Sequence, residues 1–315
     1  MYVVTGGAGF IGSNIVDALV SDGRAVRVLD DLSNGKSENL ASYGSRIEYI
    51  HGDIRDPDAC RRAVAGAEVV LHLAALGSVP RSVADPGTSN EVNVTGTLNV
   101  LVAARDAKVR RVVYSSSSSV YGENPTLPKH EDLATAPISP YAVTKLAAEN
   151  YTRVFAKVYG LETVSLRYFN VFGPRQRADS PYAAVIPLFM QAAHDGCPLP
   201  INGDGLQSRD FTYVTNVVRA NLRAAVVAGV SGRTFNVACG ERYSLLDIVD
   251  ALSAAAGRSL ECDHRPARIG DVRHSQADIT AAVRDLGYRV EVGFREGLAR
   301  TWEAFVATQA GATAG

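Results

Sequence analysis

Tyr141 and Lys145 stand four residues apart in SPYAVTKLAAEN, a spacing that puts a phenol and an ammonium on one face of a helix. Such a pair can move a proton. Bringing a tyrosine from a pKa of about 10 toward 7 takes roughly 4 kcal/mol, and close positive charge can provide that. A second set of reactive groups, Ser115 to Ser119, ends the apolar run in RRVVYSSSSSVYG. A strand that turns polar at its end meets something polar there, and in open α/β sheets that end is where ligands bind. YxxxK alone occurs often by chance, so its meaning depends on the elements around it.

The first such element is TGGAGFIG, which follows YVVT and opens a helix, spacing Gly6, Gly9 and Gly12 as GxxGxxG. Strand before and helix after make this a dinucleotide fingerprint, with the pyrophosphate expected on the positive end of the helix. Asp30 and Asp31 end AVRVLDD about twenty residues on, where a carboxylate can bond a ribose 2′-hydroxyl; a 2′-phosphate would face negative charge, so NAD is expected rather than NADP. A nicotinamide cation would then join Lys145 in stabilising a Tyr141 phenolate. Asp53 in HGDI could meet the adenine edge, or serve as a turn or N-cap residue before RDPDAC.

These motifs sit in a regular alternation. YVVT, AVRVLD, IEYIHGD, EVVLHLAA, RVVYSS and TVSLRYFN read as strands, with amphipathic segments such as FIGSNIVDALVSDG and NVTGTLNVLVAARDAKV between them. The pattern predicts an α/β fold of Rossmann type, a doubly wound parallel sheet with helices on both faces. From about Phe172 the rhythm is lost, as expected of a smaller, mixed α/β substrate lobe. The division expected is 1–171 for the NAD-binding domain with the serine, tyrosine and lysine, 172–308 for the lobe with some segments returning to the sheet, and 309–315 for a tail.

Charge excludes some partners: 33 acidic residues against 32 basic ones, with no block of either sign, give no footprint for nucleic acid or a membrane surface. Cys60, Cys197, Cys239 and Cys262 have no metal-ligand spacing, so no metal is expected and the thiols read as reduced. No run is long and apolar enough to span a bilayer, and MYVVTG opens straight into a strand, which points to the cytoplasm.

Fingerprint, HLAA, serine strand and YxxxK together resemble the extended short-chain dehydrogenase/reductase family from Met1 to about Trp302, and within it the nucleotide-sugar 4-epimerases acting on UDP-galactose and UDP-N-acetylglucosamine. The resemblance implies a UDP-hexose 4-epimerase with NAD retained between turnovers. It makes Ser117 the hydroxyl that bridges the sugar 4-hydroxyl and Tyr141, while Lys145 completes the catalytic set. Ser118 and Ser119 stand where related 4,6-dehydratases carry Asp-Glu and related decarboxylases carry a glutamate in the second place. Neither serine can act as a carboxylate acid or base near neutral pH, so elimination is not expected. Around the cofactor the resemblance adds Phe10, Ile11, Asn34, Gly35, Ile54, Leu73, Ala74, Ala75, Asn93, Ser115 and Tyr168, the last beside the nicotinamide.

For the sugar nucleotide it implies Asn170, Arg209 and Arg268 on the diphosphate and Asp271 on the ribose, together with Val185, Leu188, Pro200 and Asn202. Guanidinium groups match phosphate oxygens, although each arginine could equally be a surface ion-pair partner. Ser78, Val79 and Arg81 in HLAALGSVPRS would present a loop to the sugar, as in N-acetylhexosamine epimerases. Ser275, just after the RxGD motif, would be a small gate that admits an N-acetyl group. Arg177 lies where UDP-glucuronate 4-epimerases bind the sugar carboxylate, but Asn170 replaces their threonine, and Arg177 could instead pair with Asp179. A homodimer built from NVTGTLNVLVAARD and YAVTKLAAENYTRVFAKVYG is also implied. Two other functions stay open: a sugar-nucleotide reductase or dehydratase, and a non-enzymatic NAD-binding regulatory module.

Overall fold

The structure is a computed structural model, and it describes residues 1–178, 183–266 and 273–313. Seven strands, β1 (Tyr2–Thr5), β2 (Val26–Asp30), β3 (Ile47–His51), β4 (Val69–His72), β5 (Arg111–Ser117), β6 (Glu162–Tyr168) and β7 (Arg233–Val237), form one sheet. Every pairing in it is parallel, in the order β7-β6-β5-β4-β1-β2-β3. The order reverses between β1 and β4, which is the switch point where such sheets bind ligands at their carboxyl ends.

β1 (YVVT) and β4 (VVLH) are buried along their whole length because both faces of the sheet are covered there, whereas the edge strand β3 (IEYIH) is largely exposed. Val3, Val70 and Val112 pack on one side, with residues of α2 (Pro57–Val64) and α3 (Thr97–Asp106). Val4, Leu71 and Val113 pack on the other, against α1 (Phe10–Ser21) and α6 (Val214–Val226). The helix carrying Tyr141 and Lys145 is α4 (Pro140–Tyr159), started by Ser139, whose side chain accepts from the Ala142 amide, with Pro140 at the first position. It stops at Gly160, whose φ of 69° is the left-handed cap that glycine adopts without strain. Phe155 anchors α4 in the core, a burial worth about 2 kcal/mol.

The second half holds α5 (Val185–His194), α6, α7 (Leu245–Ala256) and α8 (Phe294–Thr313) with three two-stranded pairings. Val171–Phe172 pairs with Thr212–Tyr213, Ser208–Arg209 with Tyr243–Ser244, and Leu199–Asn202 with Cys262–Arg265. An edge-to-face cluster of Phe172 with Phe211, Tyr213 and Phe294 joins these pieces. RTFNV, which extends the main sheet as β7, comes from this half of the chain. Helix α8 runs to Thr313, so residues 309–313, expected as a tail, continue it: QAGAT has no proline, and its two alanines favour the helix that Gly311 weakens. Among the described residues no helix is long and apolar enough to cross a membrane.

Candidate active site

A cavity of about 540 Å³ lies along the carboxyl ends of the strands. Its first wall is the turn between β1 and α1, where Gly6, Gly9, Phe10, Ile11 and Gly12 are exposed to it. Gly6 has φ +70°, and a Cβ there would meet the Ala74 amide nitrogen at 2.8 Å; one on Gly12 would lie 2.1 Å from the Gly6 carbonyl oxygen. No larger residue fits either place. Gly9 caps α1 without a side-chain bond, and its first turn holds no acid, so the positive end of the helix faces the cavity.

Asp30 is buried at the next wall and accepts from the amides of Ala8, at 2.9 Å, and Leu32, at 2.8 Å. Burial raises its carboxyl above the ordinary value despite these bonds. Asp31, Asn34 and Gly35 follow it on the wall. Asp53 and Ile54 also line the cavity, and Asp53 is at the same time a turn residue: its carboxylate takes the Arg55 amide at 2.8 Å and the Arg55 guanidinium at 2.6 Å. Burial opposes its ionisation, but the Arg55 bonds outweigh that and hold its carboxyl low. The N-cap of α2 is Asp56.

The serine run divides by the two-residue period of a strand. Ser115 bonds the Tyr168 hydroxyl at 3.0 Å, and its carbonyl accepts from Lys145 Nζ at 2.7 Å. Ser116 points the other way, donating to Glu149 at 2.6 Å, and Glu149 is clamped by Arg167 through bonds of 2.6 and 3.0 Å. Ser117 faces the Tyr141 phenol, close enough to favour its ionised form. Ser115, Ser117, Tyr141, Lys145 and Tyr168 therefore meet at one end of the cavity.

Burial drives the Lys145 ammonium down to about 7, while its Nζ sits 5.1 Å from the centre of the Tyr114 ring. Burial also raises the Tyr141 phenol, and Ser117 only partly offsets this. The sequence argument expected Lys145 and a nicotinamide cation together to lower the phenol; the protein's own groups hold it high, and the nicotinamide charge of that argument would come with the cofactor.

The remaining expected residues scatter. Leu73, Ala74, Ala75, Ser78, Arg81, Asn170 and Arg177 line the cavity. Ser78 accepts from the Arg81 amide at 3.2 Å as the cap of a short helix, Val79–Ala84. Arg81 and Arg177 both reach Asn34, at 3.1 and 3.3 Å. Asn93 is not on the wall: its amide is fully engaged by Leu76 and Thr144. Ser118 and Ser119 turn away in a 3-10 turn, Ser118–Tyr121, and the Ser119 hydroxyl is buried without a partner. Val79, half exposed, and Val185, Leu188, Pro200 and Asn202 also lie off the wall, the last two in the Leu199–Asn202 strand. Arg209 donates to the carbonyls of Ser208 and Arg273, and the Ser275 amide donates to the Ser208 carbonyl, so these two share a loop pair that is not part of the cavity lining. Arg268, Asp271 and Asp179 lie outside the described residues.

Several residues on the wall, Gln176 and Asn39, and behind it, Ser82 and Asn221, were not foreseen. Gln176 donates to the Val171 carbonyl at 3.0 Å, and its own Oε1 is buried without a protein partner at the cavity wall. Asn39 ties the glycine turn by donating to the Ala8 carbonyl at 2.8 Å. Ser82, inside the short helix, accepts from the Tyr141 amide at 3.0 Å, and Asn221 on α6 donates to the Tyr168 hydroxyl at 2.8 Å. Asn221 could have been noticed as a polar residue on the apolar face of α6; Ser82 carries no sequence signal.

The glycine cradle, the bare helix start and the buried Asp30 fit a dinucleotide, and comparisons with known proteins agree. Residues 2–238 match the NAD dependent epimerase/dehydratase family. A UDP-glucose 4-epimerase of Mycolicibacterium smegmatis is 43% identical over 307 residues, covering 96% of this chain and 97% of that protein. Among solved structures, the UDP-N-acetylglucosamine 4-epimerase from Methanobrevibacter ruminantium, in complex with UDP-N-acetylmuramic acid, has a TM-score of 0.93 at 41% identity and covers 98% of each chain. The UDP-glucose 4-epimerase of Thermus thermophilus, in complex with NAD, has a TM-score of 0.88 at 37% identity, covering 97% of this chain and 98% of that one.

Proposed function

The chain belongs to the NAD-dependent epimerase/dehydratase family, and on that premise we propose that it inverts C4 of a UDP-hexose, either glucose/galactose or N-acetylglucosamine/N-acetylgalactosamine, through a transient 4-keto sugar. The glycine turn and Asp30 would hold the dinucleotide, which when bound would supply reversible hydride transfer at C4. Tyr141, facing Ser117, takes the proton of the C4 hydroxyl and later gives it back, so no net oxidation results. Lys145, fixed by the Ser115 carbonyl, stands at the same end of the cavity, where a proton taken up by its amine would favour the phenolate.

The observation that carries this reading is the meeting of Tyr141, Ser117 and Lys145 at the cavity end, without a carboxylate at Ser118 or Ser119 to drive elimination. Arg209, Arg268 and Asp271 are assigned to the nucleotide and Ser275 to the gate on the resemblance alone. A UDP-glucuronate reading through Arg177 is less favoured, because that guanidinium donates to Asn34, in the loop after Asp30. Incubation with UDP-glucose, UDP-N-acetylglucosamine and UDP-glucuronate, followed by separation of the C4 epimers, tests the assignment. Tyr141→Phe should keep its fold and NAD but lose at least about 10²-fold in turnover, the usual worth of a positioned base; unchanged turnover would overturn the mechanism.

Cytoplasmic residence and a homodimer belong to the same proposal. On α4, Val143, Tyr151, Val154 and Val158 lie along one exposed stripe, from 37% to 63% accessible, a face suited to a second copy. Val154→Arg should turn a dimer into a monomer in sedimentation equilibrium, and a wild-type monomer at micromolar concentration would refute the assembly.

A further inference from the structure

Between the glycine turn and Tyr141 runs a line of hydrogen bonds through buried residues, side chain to side chain except where it passes through the Asn93 backbone and ends on the Tyr141 carbonyl. Thr5 and His72 face each other across the β1–β4 pair, at the point where the sheet order reverses. Thr5 Oγ1 lies 2.7 Å from His72 Nδ1, and His72 Nε2 lies 2.9 Å from Thr97 Oγ1. Thr97 donates to the Asn93 carbonyl at 2.7 Å, Asn93 Nδ2 donates to Thr144 Oγ1 at 3.0 Å, and Thr144 donates to the Tyr141 carbonyl at 2.8 Å. A wide π-helical stretch, Glu91–Gly96, lies just ahead of α3, and Asn93 and Thr97 are both buried there.

The proton count gives the line a direction. A threonine hydroxyl has one proton, and Thr97 gives its own to Asn93, so His72 Nε2 must carry the hydrogen that reaches Thr97. Burial takes the imidazole down to about 3, so the ring is neutral and Nδ1 is an acceptor for the Thr5 hydroxyl. Thr5 in turn accepts from the Ala74 amide at 3.2 Å. Each bond is satisfied, and only a ring with a donor at one end and an acceptor at the other completes it. Nothing in the packing asks for such a residue, since the rest of β4 is Val69, Val70 and Leu71.

We propose that His72 is a positioning residue for the epimerisation: through Thr97, Asn93 and Thr144 it ties the first turn of α4, and Tyr141 with it, to the glycine turn that cradles the dinucleotide. This rests on the reading of Tyr141 as the proton acceptor. Thr97→Val keeps the shape of the side chain and breaks the line in the middle. Its turnover should fall about 10-fold with KM for the UDP-hexose and bound NAD unchanged, short of the roughly 10²-fold that a 1 Å misplacement costs. Thr97→Ser should restore turnover. Thr144→Val should lose a similar factor, and the double variant should be no worse than the poorer single one, because both cut the same line. Normal turnover in Thr97→Val beside an inactive Tyr141→Phe would overturn the role of His72 alone, whereas an active Tyr141→Phe would overturn the reading beneath it. A Thr97→Val loss that follows NAD content or melting temperature, that serine fails to rescue, or that multiplies with the Thr144 loss would also defeat the proposal.

Discussion

Replacing Lys145 with methionine should make the protein more stable while it destroys activity. The amine is buried against the Tyr114 ring, and its value falls from 10.5 in the open chain to about 7 in the fold. The sign follows from which state holds the proton. Above pH about 10.5 neither state is charged and burial costs nothing; between there and about 7 the unfolded chain takes a proton that the folded one refuses; below about 7 the cost is complete. At about 1.4 kcal/mol per pH unit the full cost is on the order of 4–5 kcal/mol. Methionine removes it but leaves the Ser115 carbonyl without its donor, a loss of about 1–3 kcal/mol. The net gain near pH 7 is about 2 kcal/mol, and it should shrink as pH rises toward 9.5. Guanidinium unfolding of NAD-free protein between pH 6 and 9.5 measures the difference, and saturating NAD in parallel should reverse it. A methionine variant that is less stable at pH 7, or whose advantage is flat with pH, would refute a buried amine that resists charging.

Two further outcomes follow from neighbouring geometry. Arg167→Met strands the Glu149 carboxylate, whose side chain is 8% exposed, with Ser116 as its remaining side-chain partner; denaturant unfolding should show a loss of about 3–5 kcal/mol, and adding Glu149→Leu should recover much of it. Ser275→Tyr should weaken use of UDP-N-acetylglucosamine more than UDP-glucose, read as the ratio of kcat/KM values, and equal effects would remove Ser275 as a gate.

The sheet was legible because its first six strands are apolar runs separated by helical periods, a local signal. Strand β7 was not: RTFNV is short, and its partner β6 lies far earlier in the chain, so only tertiary pairing identifies it. Motif spacing placed Gly6, Gly12, Asp30, Tyr141 and Lys145 on the cavity wall because each sits at the end of an element whose geometry is regular. The resemblance put Asn93 beside the cofactor, but its side chain is used by Leu76 and Thr144, and no motif could reveal the unpaired Gln176 oxygen, which depends on how a loop closes. The phenol was expected to titrate low through Lys145 and a nicotinamide cation, yet burial is a property of the folded environment, and it raises the phenol more than Ser117 lowers it.

The opposite aim of neighbouring serines on β5 has a consequence for how this gene can change. Ser116 holds a buried carboxylate and Ser117 faces the phenol, and both are the same amino acid. Losing or gaining one codon upstream in that strand would leave the spelling of the motif nearly intact while exchanging the two jobs from face to face. Length, more than composition, is what selection must guard there.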